Sequence, residues 1–248
     1  MIITFETPDG MKRADLNESL RISIPLKHGS DNPNCYHAEN PVFETIETEN
    51  FIGDVKRGGS VNYKKITITP HGNGTHTECY GHISADDAAI SHILTTYHFL
   101  AELVSVELYE TGGDKFVRFR DFIRKREYDF TEAVIIRTLP NPDSKAVCNH
   151  SGNNPPYFDP EILKYLCQNG VMHVLVDLPS LDPEEDGGNL RSHKEFWNIQ
   201  GKVRKESTIT ELCFVPDDIE DGLYLLNLQT ANMMIDATPS NPVIYKIY

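Results

Sequence analysis

Short apolar runs, rather than long amphipathic periods, organise this chain. Arg21–Ile–Ser–Ile–Pro–Leu26, Ser60–Val–Asn–Tyr–Lys–Lys–Ile–Thr–Ile–Thr69 and Glu102–Leu–Val–Ser–Val–Glu–Leu–Tyr109 mix β-branched or aromatic residues with partial alternation and predict strands. Ala133–Val–Ile–Ile–Arg137 and Val171–Met–His–Val–Leu–Val–Asp177 are nearly continuous apolar runs. Such runs predict central strands covered on both faces. Gly222–Leu228 and Asn241–Ile247 add two more strands. Helices are fewer. Asp159 to Gly170 is the clearest, with Asp159 as N-cap, Pro160 at N1, Gly170 at C′ and an apolar face of Ile162, Leu163 and Leu166. A second is predicted to begin at Ser192 with Glu195 completing a capping box and to stop by Gly201; a third spans Phe119 to Arg126. The class this predicts is α/β with a largely β, mixed-sheet core and few helices.

No Ser/Gly/Pro-rich linker, internal repeat or low-complexity block divides the 248 residues, so 1–248 reads as a single domain. No apolar run approaches membrane-spanning length, and Met1–Gly10 does not look like a signal peptide. A formal charge of −14 with scattered Lys and Arg argues against a nucleic-acid partner. The densest basic run, Arg118 to Arg126, reads as a solvated helix face. Five cysteines, an odd number with no C-x-x-C pair, suggest neither a disulfide framework nor a thiolate zinc finger and fit a reducing cytoplasm.

The candidate chemistry lies in His71–Gly–Asn–Gly–Thr–His76–Thr–Glu78–Cys–Tyr–Gly–His82. Imidazole and carboxylate without thiolate suit zinc, manganese or iron(II). In an extended segment His76, Glu78 and His82 share one face, because the side-chain period is two. On a helix, residues i and i+2 point roughly 200° apart and cannot share a metal. The stretch therefore reads as a strand or loop with a metal-binding edge; a polar loop with scattered histidines is the competing reading. Cys79 has the wrong phase for that face and reads as a buried thiol. Asn141 to Tyr157 is a long polar loop containing His150, either a lid or a surface excursion. His28, His37, His92, His98 and His173 have no partner pattern, and His173, inside an apolar run, reads as a core histidine.

These residues resemble the cyclase family of metal-dependent hydrolases, which includes the bacterial kynurenine formamidases and carries the signature H-x-G-T-H-x-D-x-P-x-H. Gly74–Thr75–His76 match G-T-H, Glu78 stands at the Asp position and His82 matches the last His. The first His falls on Gly72, one residue after His71, and the Pro falls on Tyr80. Patches of similarity run from about residue 20 to 245 and include Ser23–Leu26, Tyr36, Val176–Pro183 and Thr208–Leu212.

The resemblance implies the swivelling β/β/α type of fold and a homo-oligomer, dimer or tetramer, acting on a small molecule. It implies His76, Glu78, His193 and Glu211 as ligands of one or two divalent metals, zinc first and manganese or iron(II) also fitting. His71 is the candidate replacement for the ligand missing at Gly72, and can reach the site only if Gly72–Asn73–Gly74 bulges. His82 would be the proton donor and acceptor, Tyr36 would line the substrate pocket, and Asp177 is a candidate to orient a ligand histidine. The implied activity is arylformamidase-like hydrolysis of a carbon–nitrogen bond other than a peptide bond. A lyase or cyclase on the same metal scaffold, and a metal-free small-molecule-binding relative, are the alternatives.

Overall fold

The computed structural model describes residues 1–248. Its centre is a ten-stranded mixed sheet. From one edge to the other the strands are Ile2–Thr7, Gly10–Arg21, Val243–Ile247, Gly222–Asn227, His98–Glu107, Ala133–Leu139, His173–Val176, Thr208–Glu211, His76–Cys79 and Ala237–Pro239. The four strands from His98–Glu107 to Thr208–Glu211 run parallel to one another, and the pairings outside them are antiparallel. The mixed-sheet α/β class with few helices is as the sequence predicts.

The central strands are buried on both faces, as their continuous apolar runs require. Val134, Ile136, Val174, Val176 and Ile209 pack with Phe122, Ile162, Leu163, Leu166, Phe196 and Trp197, which the helices Phe119–Lys125, Pro160–Gln168 and Arg191–Trp197 supply. Ala133, Ile135 and Leu175 point to the other face and join Ile22, Ile90, Phe99, Leu226 and Ile244. The period of two within one strand therefore feeds two cores. The Pro160–Gln168 helix starts as predicted, with the Asp159 carboxylate accepting from Glu161 N at 3.1 Å.

Two predicted strands differ from what is observed. Arg21–Leu26 is not a strand beyond Arg21; only an isolated bridge, Ser23 to Cys213, follows. Its later donors are taken elsewhere: Ile24 N donates to Thr75 Oγ1 at 2.8 Å and Pro25 has no N–H to give, and just past the segment Lys27 N donates to Asn32 Oδ1 at 2.8 Å. Ser60–Thr69 shortens to Lys64–Thr67, because its only partner, Val42–Thr45, is equally short. The long hairpin of Ile2–Thr7 and Gly10–Arg21 is an addition, closed at a Pro8–Asp9 turn with Gly10 at φ +105°.

Candidate metal centre

The His76–Cys79 strand is second from the sheet edge, and its register builds the floor of the site. His76 lies directly opposite Glu211, and Glu78 directly opposite Ile209 on one side and Ala237 on the other. Directly opposed residues share a face. His76, Glu78 and Glu211 therefore project to the face that carries the helices, while Thr77 and Thr210 meet on the reverse face through a 2.8 Å hydroxyl contact. His76, Glu78 and Glu211 are all buried.

His193 reaches the same point from the first turn of Arg191–Trp197. The predicted capping box is absent. That helix begins with Leu190 at φ +45° and is capped from outside by Asp182, which accepts from Ser192 N at 2.7 Å and His193 N at 3.2 Å. The same carboxylate holds His193 Nδ1 at 2.6 Å. His82 sits in the 3-10 turn Tyr80–Ile83 rather than on the strand, so the turn and not the strand period brings it to the cluster.

His71 reaches the site without the bulge that its register demanded. Pro70–Asn73 forms a single helical turn, and this places His71 Nδ1 3.1 Å from Glu78 Oε2. Gly72 has no room for a side chain: a Cβ there would lie 2.3 Å from Ala38 Cβ and 3.2 Å from Cys35 O. Packing of the Cys35–Ala38 segment on this turn thus excludes a histidine from position 72.

The four histidines follow one rule. His71 Nδ1, His76 Nε2, His82 Nε2 and His193 Nε2 face Glu78 or Glu211 at 3.1, 3.4, 3.8 and 3.2 Å. Each ring's other nitrogen faces an oxygen: Gly74 O at 2.9 Å for His76, Asp182 for His193, and Asp236 Oδ2 for both His71 (2.9 Å) and His82 (3.4 Å). Glu78 turns Oε2 to His71 and His82 and Oε1 to His193; Glu211 turns Oε2 to His76 and Oε1 to His193 at 3.6 Å. Burial alone would raise the Glu78 carboxyl, but His82, His193 and His71 hold it well below the usual range. Burial lowers His193 and His71, yet Asp182 and Glu78 outweigh it for His193, and Glu78 and Asp236 bring His71 to about 9.

The donor set fits a divalent cation. His76 Nε2 and both Glu78 oxygens are fully buried and make no aligned hydrogen bond, although nitrogen and oxygen atoms lie close by. Such orphaned polar atoms are costly unless an ion satisfies them. Ligands at about 2.0–2.1 Å from a tetrahedral zinc lie roughly 3.3 Å from one another, which is the spacing seen here. Two candidate ligand groups, His71–His76–Glu78 and Glu78–His82–His193, share Glu78, and a third joins His71 and His82 to Asp236.

Other expectations fare differently. Tyr36 is 46% exposed, but its phenol, beside Ser180 and close to Glu211 and Glu78, is pushed up by burial and then by Glu211. Tyr36 and His37 both have positive φ, +56° and +53°, a strained bend held by His37 N donating to Ser151 Oγ at 2.9 Å. Asp177 orients no histidine; it accepts from Thr138 N, Thr138 Oγ1 and Lys145 Nζ at 2.8–3.0 Å. Asp182 takes that role, and Asp236 joins the cluster without any sequence signal. Cys79 is buried and pushed up to about 11, mainly by burial. His173 is a core histidine whose Nδ1 meets Thr208 Oγ1 at 2.8 Å. The 141–157 loop is pinned rather than free: His150 N donates to Asn34 O at 2.7 Å, and a cavity of about 720 Å³ lined by Lys145, His150, Asn153 and Asp177 lies under it, apart from the metal-site side chains.

With this geometry in hand, comparison with known proteins identifies the lineage. The sequence profile of the Cyclase family matches residues 20–183, more than half of the chain. The chain belongs to the Cyclase family. The kynurenine formamidase of Bacillus anthracis is 26% identical over 194 residues, covering 77% of this chain and 84% of that protein. Among solved structures, one described as a potential metal-dependent hydrolase with cyclase activity superposes with a TM-score of 0.65 at 15% identity, covering 92% of this chain and 97% of the other. Isatin hydrolase A from Labrenzia aggregata gives a TM-score of 0.65 at 12% identity, covering 92% and 93%. At such identities the solved structures establish the shared fold. No helix is long and apolar enough to cross a membrane.

Proposed function

We propose that this chain is a metal-dependent hydrolase of carbon–nitrogen bonds other than peptide bonds, cleaving an N-formyl or related amide of a small aromatic substrate. One observation carries the reading: the inward nitrogens of four histidines converge on two buried carboxylates, Glu78 and Glu211, and both Glu78 oxygens lack aligned hydrogen-bond partners. His71, His76, Glu78, His193 and Glu211 would hold one or two ions, zinc first, with manganese or iron(II) also fitting a set without thiolate. A bound divalent cation supplies Lewis acidity and activates water at neutral pH.

The chain's own groups do the rest. Glu78 and Glu211 provide the negative charge that holds the cation. Asp182 and Gly74 O fix the rings of His193 and His76 so that Nε2 faces inward. His82, with its side chain 31% exposed at the mouth, delivers a proton to the leaving amine. Tyr36, half exposed with its phenol beside Ser180 and close to the two carboxylates, has a placement suited to a planar substrate. The relatives' names, kynurenine formamidase and isatin hydrolase, support an amide of this kind. The free cysteines support a reducing cytoplasm, and we carry the single domain and the homo-oligomer, dimer or tetramer, as part of the same proposal.

The test is metal content by mass spectrometry together with turnover of an N-formyl arylamine. Formate and amine released in equal amounts, abolished by chelator and restored by zinc or manganese, support the proposal. Loss of water without formate or amine would replace it with a lyase or cyclase. The metal-free binding relative loses its motive at position 72, since His71 faces Glu78 there; failure to take up any metal would nevertheless restore it.

A further inference from the structure

We propose that Asp236 is a positioning residue that sets the ring orientation of both His71 and His82, which rests on the metal-hydrolase reading above. The two imidazoles stack, with centroids 4.1 Å apart and planes inclined by 28°. Glu78 lies on the inner side of the pair and Asp236 on the outer side. One oxygen, Asp236 Oδ2, meets His71 Nε2 at 2.9 Å and His82 Nδ1 at 3.4 Å. The rings thus present opposite atoms inward, His71 its Nδ1 and His82 its Nε2. A carboxylate only accepts, so with a cation seated on the inner side the proton of each ring stays on the nitrogen beside Asp236. That leaves the inward lone pairs free, for a cation at His71 and for proton transfer at His82.

The backbone holds Asp236 in place for this task. Its own carbonyl accepts from Cys79 N at 3.0 Å, and the preceding Ile235 carbonyl accepts from Ile90 N at 2.9 Å. The next residue, Ala237, pairs directly opposite Glu78. His76 has Gly74 O and His193 has Asp182 as private orienting acceptors. Asp236 is the corresponding acceptor for the remaining two rings, so its removal releases half of the histidine set.

The experiment compares wild type with Asp236→Ala and Asp236→Asn, the latter keeping an acceptor oxygen without the charge and remaining decisive if the alanine variant misfolds. Each is titrated with zinc and with manganese, and the ring nitrogens are read by ¹⁵N NMR after histidine labelling. In the metal-loaded wild type we expect His71 protonated at Nε2 and His82 at Nδ1. In Asp236→Ala we expect mixed tautomers and metal affinity lower by about 10- to 100-fold at unchanged stoichiometry, with Asp236→Asn in between. Wild-type affinity and tautomers in both variants would overturn the proposal. So would loss of one whole equivalent of metal, which would make Asp236 a ligand. Should the wild type itself take up no metal, the hydrolase reading falls, and the ring-nitrogen shifts alone decide the role of Asp236.

Discussion

Replacing Asp182 by asparagine tests whether one carboxylate both caps a helix and aims a ligand. Both of its oxygens are in use. Oδ1 accepts from Ser192 N at 2.7 Å, and Oδ2 accepts from His193 N at 3.2 Å and His193 Nδ1 at 2.6 Å. Asparagine has one oxygen. Its best placement keeps that oxygen against His193 and turns the amide NH₂ toward the buried Ser192 N–H. This removes one charge-assisted hydrogen bond and strands a donor, a loss of about 1–3 kcal/mol. Removing negative charge from the helix N-terminus adds about 0.3–1 kcal/mol. The expected destabilisation of metal-free protein is therefore about 1–4 kcal/mol, read as a lower urea midpoint at unchanged slope. Metal affinity should fall by about 10- to 100-fold, because His193 is no longer fixed with Nε2 inward. A change below roughly 0.5 kcal/mol with metal affinity intact would refute the coupling of cap and ligand.

Three further outcomes follow from the same structure. Gly72→Ala should destabilise the protein by about 1–3 kcal/mol in urea unfolding, since the new Cβ meets Ala38 and Cys35 O, and a neutral result would remove the steric reason for the missing histidine. Lys145→Ala leaves the buried Asp177 carboxylate without its cation and should cost about 3–5 kcal/mol while metal affinity is unchanged; a matching loss of affinity would return Asp177 to the metal site. Burial, with Lys145 beside one and Arg204 beside the other, lowers His150 to about 4 and His173 to about 3. Both lie below the unfolded value near 6.5, so their contribution is intact above that pH and is lost as pH falls toward 4 and 3, roughly 2 kcal/mol each by pH 5. A His150→Gln/His173→Gln protein should show a flatter acid limb between pH 6.5 and 5 in urea midpoints, and an equally steep limb would contradict the assignment.

The central strands and the Asp159-capped helix were legible because local sequence decides them: continuous apolar runs need two covers, and Asp–Pro opens a helix. Segments whose donors are spent on distant side chains were not. Ile24 looks like a strand residue until Thr75, 51 positions away, takes its N–H. At the site, the His71–His82 stretch was legible by composition, and His193 and Glu211 by resemblance. Their convergence needed the register that sets Glu211 opposite His76. Asp182 and Asp236 stayed hidden for a similar reason. An acidic residue that holds the far nitrogen of a histidine carries no local pattern, and Asp236 lies 165 positions from His71. The choice of Asp177 over Asp182 in one segment failed because strand exit, not sequence proximity, determines which carboxylate faces the helix.

The register that puts Glu211 opposite His76 has a consequence for the order of assembly. The centre draws on residues near 71–82, then 182–193, then 211, then 236, so its parts emerge over most of the length of the chain. A nascent chain stopped short of Glu211 has the exposed histidines but neither the strand that aligns them nor the second carboxylate. Such a fragment holds loose imidazoles and no cage. On the proposed metal-hydrolase reading, loading would thus wait for completion of tertiary structure: the ion would close long loops and stabilise only the finished fold.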